Sequence, residues 1–343
     1  MSINIQRADI LPDNDKKHIS HSIYEDCSKA AVLLLAYRGL TTMMAYLFYE
    51  ITYIFFYGKP TDLDTVVQKL AAEKKELILS TFYSMLLNST VTVTALLCTL
   101  VIGKLMLRFS FRGFMKPKVE DFKTGLYWAP ACFLMNIGFS MAVNAFTSAM
   151  GSIGVNIPEA DFSIKKPTAL ALLLQFLYIV ILAPLIEEIL YRGVILGSLA
   201  KYGQGTAILV SAVCFGLMHG NIPQAVSAFG TGLIYAVIAI NCGSIYPSLM
   251  IHMINNLLVN MEEMGDSLNI PQMSTVAAAL QVVIAVLGLY IIMTRYSYLR
   301  CDKEQALPGR RAVLKKVFSN PIMVAYMLFL VWSVVSGIIR SNV

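Results

Sequence analysis

Residues 176–200 read FLYIVILAPLIEEILYRGVILGSLA, and three formal charges, Glu187, Glu188 and Arg192, stand inside this apolar run. At membrane depth each charge costs roughly 2.5–3.5 kcal/mol or more on insertion scales. A segment that only had to span a bilayer would carry leucine there. The cluster therefore marks both a membrane helix and the first place to look for chemistry. Pro184, one turn before the glutamates, predicts a kink.

Outward from this stretch the same composition recurs. The 343 residues are 57% hydrophobic and only 14% charged, with a mean hydropathy of +0.65. Soluble domains carry about 25% charged residues, so a soluble protein is excluded. The pattern predicts an all-α, polytopic membrane helix bundle of about eight or nine transmembrane helices. Nine apolar spans are expected, at 30–57, 77–103, 124–149, 168–200, 206–221, 223–241, 245–261, 275–294 and 320–340. Pro223 and Pro247 mark the starts of the short sixth and seventh. The polar start of the chain predicts no cleavable signal peptide.

Basic residues set the topology. Residues 104–118 and 295–319 are strongly basic, whereas Glu262, Glu263 and Asp266 make the loop after the seventh span acidic. Nine spans put both basic loops in the cytosol, with the N-terminus inside and the C-terminus outside. The net charge of +6 is thus a topology signal, and no nucleic acid partner is expected. Four regions follow: a cytosolic tail 1–29, N-terminal transmembrane helices 30–150, a catalytic helix core 151–265, and C-terminal helices 266–343 with the basic loop 295–319. The stretch 58–76 resembles a short amphipathic helix but reads more simply as solvated linker, and Arg38 and Glu50 either snorkel or face the bundle, with snorkelling the simpler reading. The six cysteines show no CxxC pair and read as small hydrophobes.

Four histidines complete the chemical inventory. His18 and His21 belong to the polar tail, whereas His219 and His252 lie in apolar helices. The fourth and fifth spans form a hairpin turning near Gly203, and Glu187 and His219 each lie 16 residues from it. At 1.5 Å per residue both reach about 20 Å from the turn. His252 and Asn256 lie in a span entering from the same side, so the four side chains can converge, in a cavity expected to face the cytosol. Glu188 and Arg192 are i,i+4 partners and read as a structural brace, with Glu187 rotated toward a cavity. His252 and Asn256 are also one turn apart, a spacing that can aim both at one oxyanion. Phe215, one turn before His219, either fixes that ring by packing or is core filler.

EEILYR reads as EExxxR, FGLMH as FxxxH and HMINN as HxxxN. In this order on successive apolar helices, the set resembles the Abi/CPBP family of intramembrane proteases, which holds CAAX prenyl endopeptidases and bacteriocin-processing enzymes. The resemblance covers residues 168–260. It implies an endopeptidase that cuts a membrane-associated peptide or protein, with the lipid bilayer as its setting. Glu187 and His219 would activate water, His252 and Asn256 would stabilise the oxyanion, and Glu188, Arg192 and Phe215 would support the site. Members are commonly called metalloproteases, and Glu187, His219 and His252 could bind zinc with water as fourth ligand. The favoured reading requires no cofactor and uses a glutamate–histidine mechanism. Two other classes stay open: a non-catalytic immunity or partner protein on the same scaffold, and a small-molecule transporter. The expected location is the plasma membrane of a bacterium.

Overall fold

The computed structural model describes residues 13–110, 119–160, 163–299 and 310–342, and among these there is no strand. The helix α1 runs Asp13–Tyr57 and starts inside the segment read as a tail, with His18 and His21 exposed on it. Its 45 residues extend about 68 Å, far more than a bilayer core of about 30 Å. Residues 1–12, the central part of the basic loop (300–309), residues 111–118 of the other basic segment, and Cys301 lie outside the described residues.

The stretch read as linker is a helix, α2, Leu63–Glu73. Asp62 caps it by accepting from the Thr65 amide at 2.9 Å. Val66 and Leu70 are fully buried against Tyr53 of α1, and that anchor converts a weakly amphipathic segment into structure. Next come α3, Thr81–Leu105, and α4, Val119–Ser152, which carries Pro130 in its interior. The charged helix α5 spans Ala169–Tyr202. It is followed by α6, Gln204–Leu217, and α7, Ile222–Cys242. Gly243, at φ 62°, ends α7 in the left-handed conformation that glycine adopts without penalty. The remaining helices are α8, Tyr246–Ser267, α9, Pro271–Arg295, α10, Arg310–Ser319, and α11, Pro321–Asn342. Pro223 and Pro247 stand in the first turns of α7 and α8.

Among the described residues seven helices are long and apolar enough to cross a membrane: α1, α3, α4, α5, α7, α9 and α11. Two of the nine expected spans differ for physical reasons. The 14 residues of α6 rise only about 21 Å. The 22-residue α8 is made polar by His252, Asn255, Asn256, Asn260, Glu262, Glu263 and Asp266. On α9, Val283, Val286, Leu287, Tyr290 and Met293 are all exposed, an apolar face that only lipid covers comfortably.

Packing is close, in the manner of membrane helices. The helix α4 lies against α7, α8 and α9. At Gly288 a Cβ would collide with the backbone carbonyl of Pro130, so α4 and α9 meet backbone to backbone. The charged helix α5 sits among α1, α3, α6 and α8. Cys27, Cys132 and Cys214 are fully buried in the main core, and no disulfide joins the described cysteines.

Candidate active site

Pro184 shapes the helix that carries the charges. Leu177–Leu182 and Glu188–Leu196 are wound as π-helix, with a short α-helical turn, Ala183–Glu187, between them. Ala183 N–H donates to the Tyr178 carbonyl, five residues back. In that register the Ile179 carbonyl would meet residue 184, but proline has no N–H to give. Asn256 supplies the missing donor, its Nδ2 lying 2.9 Å from the Ile179 oxygen. A local irregularity in α5 thus fixes the orientation of a side chain on α8.

Glu188 is the centre of the buried polar network. Its carboxylate is wholly inaccessible, and so is Arg192, whose Nη1 lies 3.0 Å from Glu188 Oε1. That contact is ionic rather than an aligned hydrogen bond, and Arg192 Nε makes none among the described residues. His252 Nδ1 donates to the same Oε1 at 3.2 Å, and Ser248 Oγ donates to Oε2 at 2.7 Å. Arg192 Nη2 donates to the Gly232 carbonyl at 3.2 Å. Only glycine permits that approach, because a Cβ there would press on Phe215 and on Arg192 itself. The guanidinium lies over Phe215, 4.1 Å from the ring centroid, and over Tyr235 at 5.1 Å. The brace is therefore also the mount of His252.

The two histidines are oriented differently. His252 stacks on Tyr235 at 5.0 Å and meets Phe215 edge to face at 5.6 Å. With Nδ1–H given to Glu188, its Nε2 points to Glu187, 3.6 Å from Oε2. His219 Nδ1 lies 3.0 Å from the Phe215 carbonyl and 3.2 Å from that of Gly216. Carbonyls only accept, so Nδ1 carries the proton and Nε2 of the neutral ring is a free acceptor. Phe215 also packs against the His219 ring at 5.3 Å, so one aromatic side chain touches both histidines and Arg192.

Glu187 lines a cavity of about 510 Å³ together with Tyr37, Arg38, Asn88, Thr92 and Tyr178. Tyr46 and Tyr49, late in α1, and Asn88, early in α3, also line it. These residues place the cavity along the second half of α1 and the first half of α3, the halves that flank α2. Arg38 does not snorkel. Its Nη2 reaches into the bundle and donates to the Met218 carbonyl at 2.8 Å. Glu50 accepts from the Thr61 amide at 3.3 Å, which ties α1 to the start of the α2 connection.

The structure thus brings Glu187, Glu188, Arg192, Ser248 and His252 into one network and joins His219 to it through Phe215. Asn256 sits one turn beyond His252, held by Ile179. Among the described residues no three His, Cys, Asp or Glu side chains form a group that could hold a metal ion. The alternative zinc set, Glu187, His219 and His252, is not such a group. Tyr235, Gly232 and the Met218 carbonyl that Arg38 meets carry no signal in the sequence, whereas Ser248 does, because Ser248, His252, Asn256 and Asn260 recur every four residues along α8. The last of these accepts from Gln175 of α5 at 3.3 Å.

Residues 169–258 match the family described as Type II CAAX prenyl endopeptidase Rce1-like. No curated protein and no solved structure matches the chain. The matched segment is about a quarter of the chain. It opens at the first residue of α5 and closes two residues after Asn256, so it contains Glu187, Glu188, Arg192, His219 and His252 and excludes Arg38. Over residues 169–258, from the start of α5 into α8, the chain is similar to the Rce1-like, CAAX-type branch of the Abi/CPBP membrane proteases.

Proposed function

We propose that this integral membrane protein is an endopeptidase that hydrolyses a peptide bond of a membrane-associated peptide or protein. The observation that carries the reading is the Glu187 carboxylate at the cavity wall, 3.6 Å from an imidazole nitrogen whose opposite nitrogen is anchored by the buried Glu188. Peptide hydrolysis needs a base for water, donors for the developing oxyanion and a proton for the leaving amine.

Each need has a residue. Glu187 takes a proton from water as the new C–O bond forms, with His219 Nε2 as the second acceptor at the site. The tetrahedral oxyanion is stabilised by the free amide hydrogen of Asn256 and by His252. Because Nδ1–H of His252 is given to Glu188, donation from its Nε2 uses the imidazolium form. The proton held on Glu187 or His219 then passes to the amine nitrogen as the C–N bond breaks. Glu188 and Arg192 hold His252 in place and exchange no proton. The family match supports a substrate carrying a lipid-modified cysteine.

The test is cleavage by the purified protein in proteoliposomes. Glu187→Ala and His219→Ala are expected to lower the rate by about 10²–10⁴-fold while the protein stays folded. Cleavage at the wild-type rate by both variants overturns the reading.

A further inference from the structure

Among the described residues Arg38 is the one cation that lines the cavity, and the geometry points to it as the reader of a substrate carboxylate. Three observations converge. Arg38 stands on α1, outside the segment that carries the hydrolytic residues. Among the described residues its guanidinium makes one hydrogen bond, from Nη2 to the Met218 carbonyl, and that bond fixes the head group at the cavity wall. A guanidinium offers five N–H donors in a planar fork that matches a carboxylate, so most of its donors remain for a ligand.

The rest of the lining suits the same ligand. Thr41, Thr42, Asn88 and Thr92 add neutral hydrogen-bonding groups, and Glu187 is the only acid there among the described residues. A cavity with one anion at the reacting end and one cation elsewhere orients a peptide that carries a negative charge to one side of the scissile bond. A substrate segment entering this cavity would lay its carboxylate on Arg38 and its scissile carbonyl beside Glu187. The volume of about 510 Å³ falls within the range of sites that enclose small ligands. Arg38 is thus a specificity residue for an anionic peptide segment. The inference rests on the endopeptidase reading for the identity of the ligand, but not for the presence of the site.

Binding and turnover separate the two. The full-length protein in detergent is titrated with a short apolar peptide carrying a farnesyl cysteine, as the free acid, as the C-terminal amide, and as an amide with an internal glutamate. The free acid is expected to bind on the order of tenfold more tightly than the plain amide, the worth of one charge-assisted hydrogen bond. Arg38→Gln should erase that gap, and Arg38→Lys should keep part of it. If Arg38 only supports Met218, Arg38→Gln weakens acid and amide alike and the ratio stands, which overturns the proposal. So does equal binding of acid and amide by the wild type, a result that needs no variant. Recovery of tight binding by the internal glutamate assigns the carboxylate to a side chain; its failure assigns it to the chain terminus. Acid-selective binding without any cleavage removes the endopeptidase reading alone, and cleavage without selectivity removes this proposal alone.

Discussion

At the residue scale, the decisive fact is that Glu188 holds three partners while Glu187 keeps one face to the cavity. Glu188 and Arg192 are both wholly buried, so removing one strands the other. Arg192→Met should cost about 3–5 kcal/mol, the penalty of an unpaired buried charge. Arg192→Lys should not restore it, because an ammonium cannot both pair with Glu188 and lie flat on Phe215 and Tyr235. Combining Arg192→Met with Glu188→Leu should recover most of the thermal stability, since no charge is then stranded. The double variant should nevertheless be inactive, because His252 has lost its anchor. Melting temperature in detergent and cleavage rate, measured side by side, decide the matter. A double variant that cleaves would show that His252 needs no support from Glu188.

At the element scale, α5 shows what one proline does. Pro184 leaves the Ile179 carbonyl without a backbone donor, and Asn256 fills the gap. Pro184→Ala returns an N–H to that position, which competes with Asn256. The helix should gain protection from hydrogen exchange at residue 184 while catalysis falls by about tenfold, the worth of one hydrogen bond. Unchanged activity would mean that Ile179 plays no part in aiming Asn256. This link was not legible in the sequence, for a definite reason. The i,i+4 pairs Glu188–Arg192 and His252–Asn256 lie on single helices, where spacing alone declares them. The partners of Asn256 and Arg38 are main-chain oxygens 77 and 180 residues away, and every residue type carries such an oxygen. The stretch holding α2 reads as linker for a similar reason, since Val66 and Leu70 become a buried apolar face only when Tyr53 is there to meet them. The helix ends were legible, because proline and glycine act locally: α7 was expected at 223–241 and runs Ile222–Cys242.

At the scale of the whole molecule, the family-matched segment and the helices around it are interdependent. That segment runs from α5 into α8, yet α6 has only 14 residues, so inside a membrane bundle a helix rising about 21 Å would end within the apolar layer. Backbone groups there must be satisfied from within the protein. Asn221 donates to the His219 carbonyl at 3.2 Å, and Arg38 of α1 donates to that of Met218. The second of these bonds has a consequence for how the chain is made. Arg38 enters the translocon 180 residues before its acceptor is synthesised, so α1 must first be inserted with an unpaired cation costing roughly 2.5–3.5 kcal/mol. Nascent chains halted before residue 218 should therefore insert α1 incompletely, and Arg38→Leu should raise that insertion, as glycosylation mapping would register. In the finished protein the same substitution should remove the cap on α6. Biogenesis and the capping of α6 thus pull this position in opposite directions.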